Sequence, residues 1–233
     1  MAGAERDMDD RLFWALTEQL KMPLIQIARQ AELARVTGDM TGLSTIQYVA
    51  DTTLRLLDGY QLGQTQLSQL EPGLSPVSVS SILQDTAHKL YPLARQNNCE
   101  IEVSLAGKYG PVMAHRESLE SALLLLGYAL LEARGSGDNR HRVVLAAHKT
   151  RHGLSTGVFD NQSGLTADMF RRGRALYGAA KQAIPSVSGA NGASIFVADS
   201  LFRSMETPLR VARHKSLTGL AATMHLSSQL RLI

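Results

Sequence analysis

Two apolar stripes in the first seventy residues constrain this chain more than any other feature. Between Arg11 and Val36, Leu12, Leu16, Leu20, Leu24, Ile27, Ala31 and Ala34 recur every three or four positions, which lays them along one side of a helix. The segment "TGDMTG" breaks the pattern, and a second stripe follows through Leu43, Ile46, Ala50, Leu54, Leu57 and Leu67. The two runs therefore predict an antiparallel helical hairpin. Two isolated helices cannot cover stripes of this length, whereas two hairpins paired as a four-helix bundle can, so a homodimer is expected. One residue resists this reading. Pro23, in "LTEQLKMPLIQI", costs about 3 kcal/mol inside a helix and by local rules alone would end it.

After the hairpin the period changes. "EPGLSP", residues 71 to 76, carries the Pro and Gly of a boundary, so the expected domains are 1–71 and 72–233. "VSVSSILQDTAHKLYPLARQ" predicts a short strand and a helix, "CEIEVSL" alternates as a half-buried strand, and "RESLESALLLLGYALLEA" is a strongly apolar helix. "HRVVLAAHKT" and "GLSTGVFD" predict neighbouring strands, "GASIFVADSLFRSM" a helix, and "PLRVARHK" and "GLAATMHLSS" two strands joined by a short turn. Helices mixed with antiparallel strands imply an α+β fold in which helices cover one face of a sheet. A hydrophobic content of 44% in 233 residues is enough for such a core.

The apolar run from Ala122 to Leu131 is about half the length of a bilayer span, and the N-terminus is acidic, so neither a membrane segment nor a signal peptide is expected. A single cysteine, Cys99, fits a reducing cytoplasm and excludes an intrachain disulfide. No sensor segment is expected ahead of the hairpin, and no receiver or output domain after the second domain. Up to Ala133 there are 10 Lys/Arg against 16 Asp/Glu, and from Arg134 onward 14 against 5. The basic half reads either as an anion-binding face or as ordinary surface solvation; without a recognition helix or aromatic platform, nucleic acid is not an expected partner. His141, His148 and His152 lack a carboxylate or cysteine at ligand spacing, so no metal is expected.

A hairpin with a proline in its first helix, a Pro/Gly linker and an α/β sandwich, in that order, resembles the core of a bacterial sensor histidine kinase. That core joins a dimerisation and phosphotransfer hairpin to an ATPase domain of the GHKL, or Bergerat, type. "EQLKMPL" matches the phosphoacceptor motif H-E-L-R-T-P-L at Leu20, Pro23 and Leu24, and the resemblance implies that Pro23 is a bend beside the reactive site. Glu18 then stands in the place of the histidine, Gln19 in that of its acidic partner, Lys21 in that of the arginine and Met22 in that of the threonine. Gln19 cannot act as a base, and no histidine lies in the hairpin, the first in the chain being His88. The Mg²⁺-binding N-x-x-x-N motif of the apolar helix falls on Leu124 and Tyr128, which offer no suitable ligand to a hard cation.

The nucleotide motifs show the same erosion, with Ala221, Ala222 and Met224 replacing most of the last one, and D-x-G-x-G is the best retained. D-x-G-x-G corresponds to "VFDNQSGL" with Asp160 and Gly164 present and Gln162 in place of the first glycine, although an Asp-Asn pair at a strand end is also an ordinary turn signal. Gly189 and Gly192 resemble the remains of a phosphate loop, and Gly219 in "GLAATM" the last glycine motif. The intervening lid region carries Arg171, Arg172, Arg174 and Lys181, which read either as contacts to a phosphate or acidic partner or as a solvated helix face. The resemblance thus implies a catalytically inactive, cytoplasmic, dimeric scaffold without catalytic residues or a required cofactor. Glu18, Lys21 and Met22 would contact a response-regulator partner. The alternative is an atypical kinase or ATPase that binds ATP or ADP through Asp160, Gly164, Gly189, Gly192 and Gly219.

Overall fold

The computed structural model describes residues 2–38, 40–67, 73–132, 140–176 and 191–227. Helix α1 (Ala2–Thr37) runs through Pro23 without interruption. Proline has no N–H to offer the carbonyl of Gln19, so the helix continues at the loss of one backbone hydrogen bond. Gly38, with φ of 70°, donates its N–H to Ala34 and ends α1 in the left-handed conformation that glycine adopts without strain. A single 3-10 turn, Met40–Gly42, leads into α2 (Leu43–Leu67), completing the expected hairpin. The expected domain boundary at 71–72 lies outside the described residues.

Beyond it come β1 (Ser75–Val77), α3 (Val79–Gln96), β2 (Glu100–Leu105), β3 (Val112–Ala114), α4 (Arg116–Leu131), β4 (Arg142–Thr150), β5 (Gly153–Asp160), α5 (Ala167–Leu176), α6 (Asn191–Ser204), β6 (Arg210–His214) and β7 (Leu217–Met224). The helix ends follow local chemistry. Ser78 caps α3 by accepting the N–H of Ser81, and His115 caps α4 through Nδ1, which accepts from Ser118. At the far end of α3, Asn98 takes φ of 51° and Cys99 donates to Ala94, the closing pattern of a left-handed cap.

The main sheet has the order β2-β4-β5-β7-β6. Three of its pairings are antiparallel as expected, but β2 and β4 run parallel, because the chain between them crosses over through α4. Strand β3, too short to show a period, pairs with β1. Helix α4 is buried on every side from Ala122 to Leu131, which is how a helix that is apolar all round becomes the centre of a domain. It packs against α3, α6 and β5, and the hairpin closes over it. Leu16 of α1 and Leu56 of α2 belong to the same core as α4 and α6.

That contact divides the expected α2 stripe. Val49, Leu56, Gly59 and Gly63 face inward, whereas Leu43 and Leu54 are exposed. A Cβ on Gly59 would stand 2.9 Å from Leu125 of α4 and 3.4 Å from Val197 of α6, so the absent side chain is what lets the helices approach.

The helices lie on one side of the sheet, as expected. On the other, Val144, Ala146, Phe159, Leu217 and Ala221 form a second buried cluster. His214 Nε2, on edge strand β6, lies 3.1 Å from Ser104 Oγ on the opposite edge strand β2. Four inter-strand steps would hold the edges of a flat sheet about 19 Å apart. The sheet is therefore strongly curled, and its concave face covers itself.

Candidate functional site

Asp160 ends β5 on the helix-facing side of the sheet and is 1% exposed. Its carboxylate accepts the N–H of Ser163 at 2.7 Å, the N–H of Gln162 at 3.2 Å and the Ser163 hydroxyl in a short bond. His141 Nε2 lies 3.6 Å from Oδ2. Asn161, next along, accepts from the Arg142 N–H and donates to the Arg140 carbonyl, both at 2.9 Å, so it extends the β4–β5 ladder by one rung with its side chain. Gly164, with φ of 55°, has open space where a Cβ would be. It turns the chain towards α5 rather than admitting a close neighbour.

The expected nucleotide residues are not all brought together. Gly219 pairs with Phe159, one position before Asp160, and so projects to the concave face, away from the Asp160 carboxylate. A Cβ there would meet the Val158 carbonyl oxygen at 2.1 Å, so this glycine serves the approach of β7 to β5. Gly192 lies in the first turn of α6. Gly189 and Lys181 lie outside the described residues.

At the two positions where the N-x-x-x-N motif is expected to fall, Leu124 is 5% exposed and Tyr128 6%. Both belong to the common core, in which α4 packs against α2. Burial raises the Tyr128 phenol above its ordinary pKa, while Arg55 and Asp51 of α2 act in opposite directions on it. One turn further, Tyr48 of α2 donates its hydroxyl to Glu132 in a short hydrogen bond, and burial followed by the Glu132 charge pushes its pKa upward as well. The α4 face that carries Leu124 and Tyr128 is thus covered by α2 of the hairpin.

The described part of the expected lid region forms α5, and each of its described arginines has a carboxylate partner. Arg171 and Arg172 pair with Asp168 at 2.5 and 2.8 Å. Arg174 grips Asp199 of α6 with two nitrogens, at 2.8 and 2.5 Å, and donates to the Leu209 carbonyl at 2.9 Å. Its guanidinium also lies 4.3 Å from the centre of the Phe170 ring, which stacks on Phe196 at 6.3 Å. These contacts fasten α5 to α6 and β6. Sequence reasoning named Arg174 but missed Asp199, Phe170 and Phe196, as well as Ser163; only the last left a local signal, a serine three residues after a turn-forming aspartate.

In the hairpin, Lys21 is exposed and Pro23 half-buried. Glu18, Gln19 and Met22 sit on α1, but their side chains lie outside the described residues. His141 stands beside Asp160, His148 beside His214 and His152 beside Arg151, so the three are not gathered at one point. Among the described residues no helix is long and apolar enough to cross a membrane.

No protein-family model matches the sequence, and no curated protein is similar to it. Solved structures are similar in fold. Acinetobacter baumannii histidine kinase AdeS shares 11% identity over 90% of this chain and 98% of its own, with a TM-score of 0.58. Full-length ShkA, solved with AMPPNP, shares 16% identity over 91% of this chain and 46% of its own, with a TM-score of 0.57. The catalytic domain of histidine kinase ThkA shares 8% over 65% of this chain and 95% of its own, with a TM-score of 0.51. With a hairpin leading into an α+β domain built on a mixed five-stranded sheet, this chain has the fold of a sensor histidine kinase core.

Proposed function

We propose that the protein is a catalytically inactive, histidine-kinase-like scaffold of the cytoplasm, acting as a homodimer that engages response-regulator partners. The observation that carries this reading is the burial of Leu124 and Tyr128, where a kinase of this fold would hold Mg²⁺, against a core that includes the hairpin. Leu124 has no donor atom, and the phenol of Tyr128, held neutral by a raised pKa, is a poor ligand for a hard cation. The phosphoacceptor position is Glu18, a poorer nucleophile than an imidazole, and its neighbour Gln19 cannot serve as base. Arg174, spent on Asp199, is withdrawn from phosphate chemistry.

Dimerisation is supported by the apolar residues the hairpin leaves uncovered. Leu24, Leu33, Val36, Leu43 and Leu54 are each at least 50% exposed. Glu18, Lys21 and Met22, near the end of the hairpin that packs on α6, form the proposed partner contact.

Incubating the protein with radiolabelled ATP and Mg²⁺ tests the central claim: no stable label is expected, and label lost in Glu18→Ala refutes it. A thermal shift with AMPPNP separates the other reading. Binding tighter than about 100 μM, roughly 5.5 kcal/mol, that disappears in Asp160→Ala would instead establish residual nucleotide binding.

A further inference from the structure

On the concave face of the sheet, the side away from the Asp160 carboxylate, His214 touches both edges of the fold. Its ring centre lies 5.4 Å from that of Phe159 on β5 and 6.2 Å from that of His148 on β4. Its Nε2 reaches Ser104 Oγ on β2 at 3.1 Å, although β6 and β2 are the two outermost strands. The residue itself is 8% exposed. A single carboxylate faces it, Glu102 of β2, and this is already paired with Arg142 of β4. The other charged or titratable groups around it are Arg142 itself, Lys215 in the following turn, and His148. His148 Nδ1 is buried without a hydrogen-bond partner among the described residues. A proton on His214 would enter a poorly hydrated place with more positive than negative neighbours.

We propose that His214 is an acid-sensitive latch between the edge strands β6 and β2: neutral, it holds the curled sheet closed over Phe159, and protonated, it releases β6 and uncovers the apolar concave face. Burial, then Lys215 and His148, hold the imidazole below its ordinary pKa, with Glu102 opposing them. The folded protein therefore takes up this proton at a lower pH than the unfolded chain does. The latch contributes its full stability above about pH 6.5, and that contribution is lost as pH falls from there towards the folded value.

The test is amide hydrogen exchange on the full chain, corrected for intrinsic rates, at about pH 7.5 and about pH 5.5. Protection of β6 and β2 should fall in acid by up to about tenfold, the limit for one group of ordinary pKa about 6.5 that stays neutral in the fold at about pH 5.5, while β5 keeps its own. His214→Gln, which retains a donor for Ser104 and cannot become charged, should lose the response. Unchanged β6 protection in acid, or a His214→Gln variant that responds like the parent, overturns the proposal. If that variant does not fold, the parent decides: the NMR titration of the His214 ring must coincide with loss of β6 protection. A ring that titrates while β6 stays protected also overturns it.

Discussion

The carboxylate of Asp160 accepts three hydrogen bonds from the two residues that follow Asn161, in a site 1% exposed. Asp160→Ala leaves two N–H groups and a hydroxyl without their acceptor, and should cost about 2 kcal/mol in urea denaturation. Asp160→Asn, which keeps one acceptor oxygen, should cost less. Tyr48→Phe removes the hydrogen bond to Glu132 and should cost about 1 kcal/mol. Because the folded pKa of Tyr48 is raised, its contribution is whole below about pH 10 and is lost as pH rises beyond it. Tyr48→Phe should therefore lose stability less steeply than the parent above about pH 10, which circular dichroism will follow. Asp160 and Gly164 were legible in the sequence because a turn is closed by neighbours in the chain. The pairing of Arg174 with Asp199 was not, since 25 residues separate them and nothing local links the two.

At the scale of elements, glycines decide how closely layers approach. Gly59→Leu should push α2 off Leu125 and Val197, costing about 1–3 kcal/mol of overpacking. Faster limited proteolysis of the hairpin than of the sheet will show that it has loosened. Gly219→Ala is more severe. Its Cβ would meet the Val158 carbonyl oxygen at 2.1 Å, and the backbone of a central strand cannot step aside as a flexible side chain can. A loss above about 4 kcal/mol is expected, visible as a failure to recover folded protein. Helices and strands were readable from their periods, because a period is a property of consecutive residues. The direction of β2 against β4 and the existence of β3 were not, since one depends on how the chain crosses over and the other spans only three residues.

For the whole molecule, the question is how the hairpin spends its two apolar sides. One side packs on α4 and α6, and the other leaves Leu24, Leu33, Val36, Leu43 and Leu54 uncovered. Light scattering at micromolar concentration should give about twice the 25.3 kDa of one chain. The paired substitution Leu33→Glu and Val36→Glu should return it to the monomer mass with the fold intact by circular dichroism. The order of elements and the presence of Leu124 and Tyr128 on the apolar helix were determined by the sequence itself, because each is a matter of residue type and spacing along the chain. Only the tertiary structure decided that α2 seals α4, that Arg174 is spent on Asp199 and that His214 spans the curled sheet. Each of these depends on which distant surfaces meet, and close packing settles that for the chain as a whole.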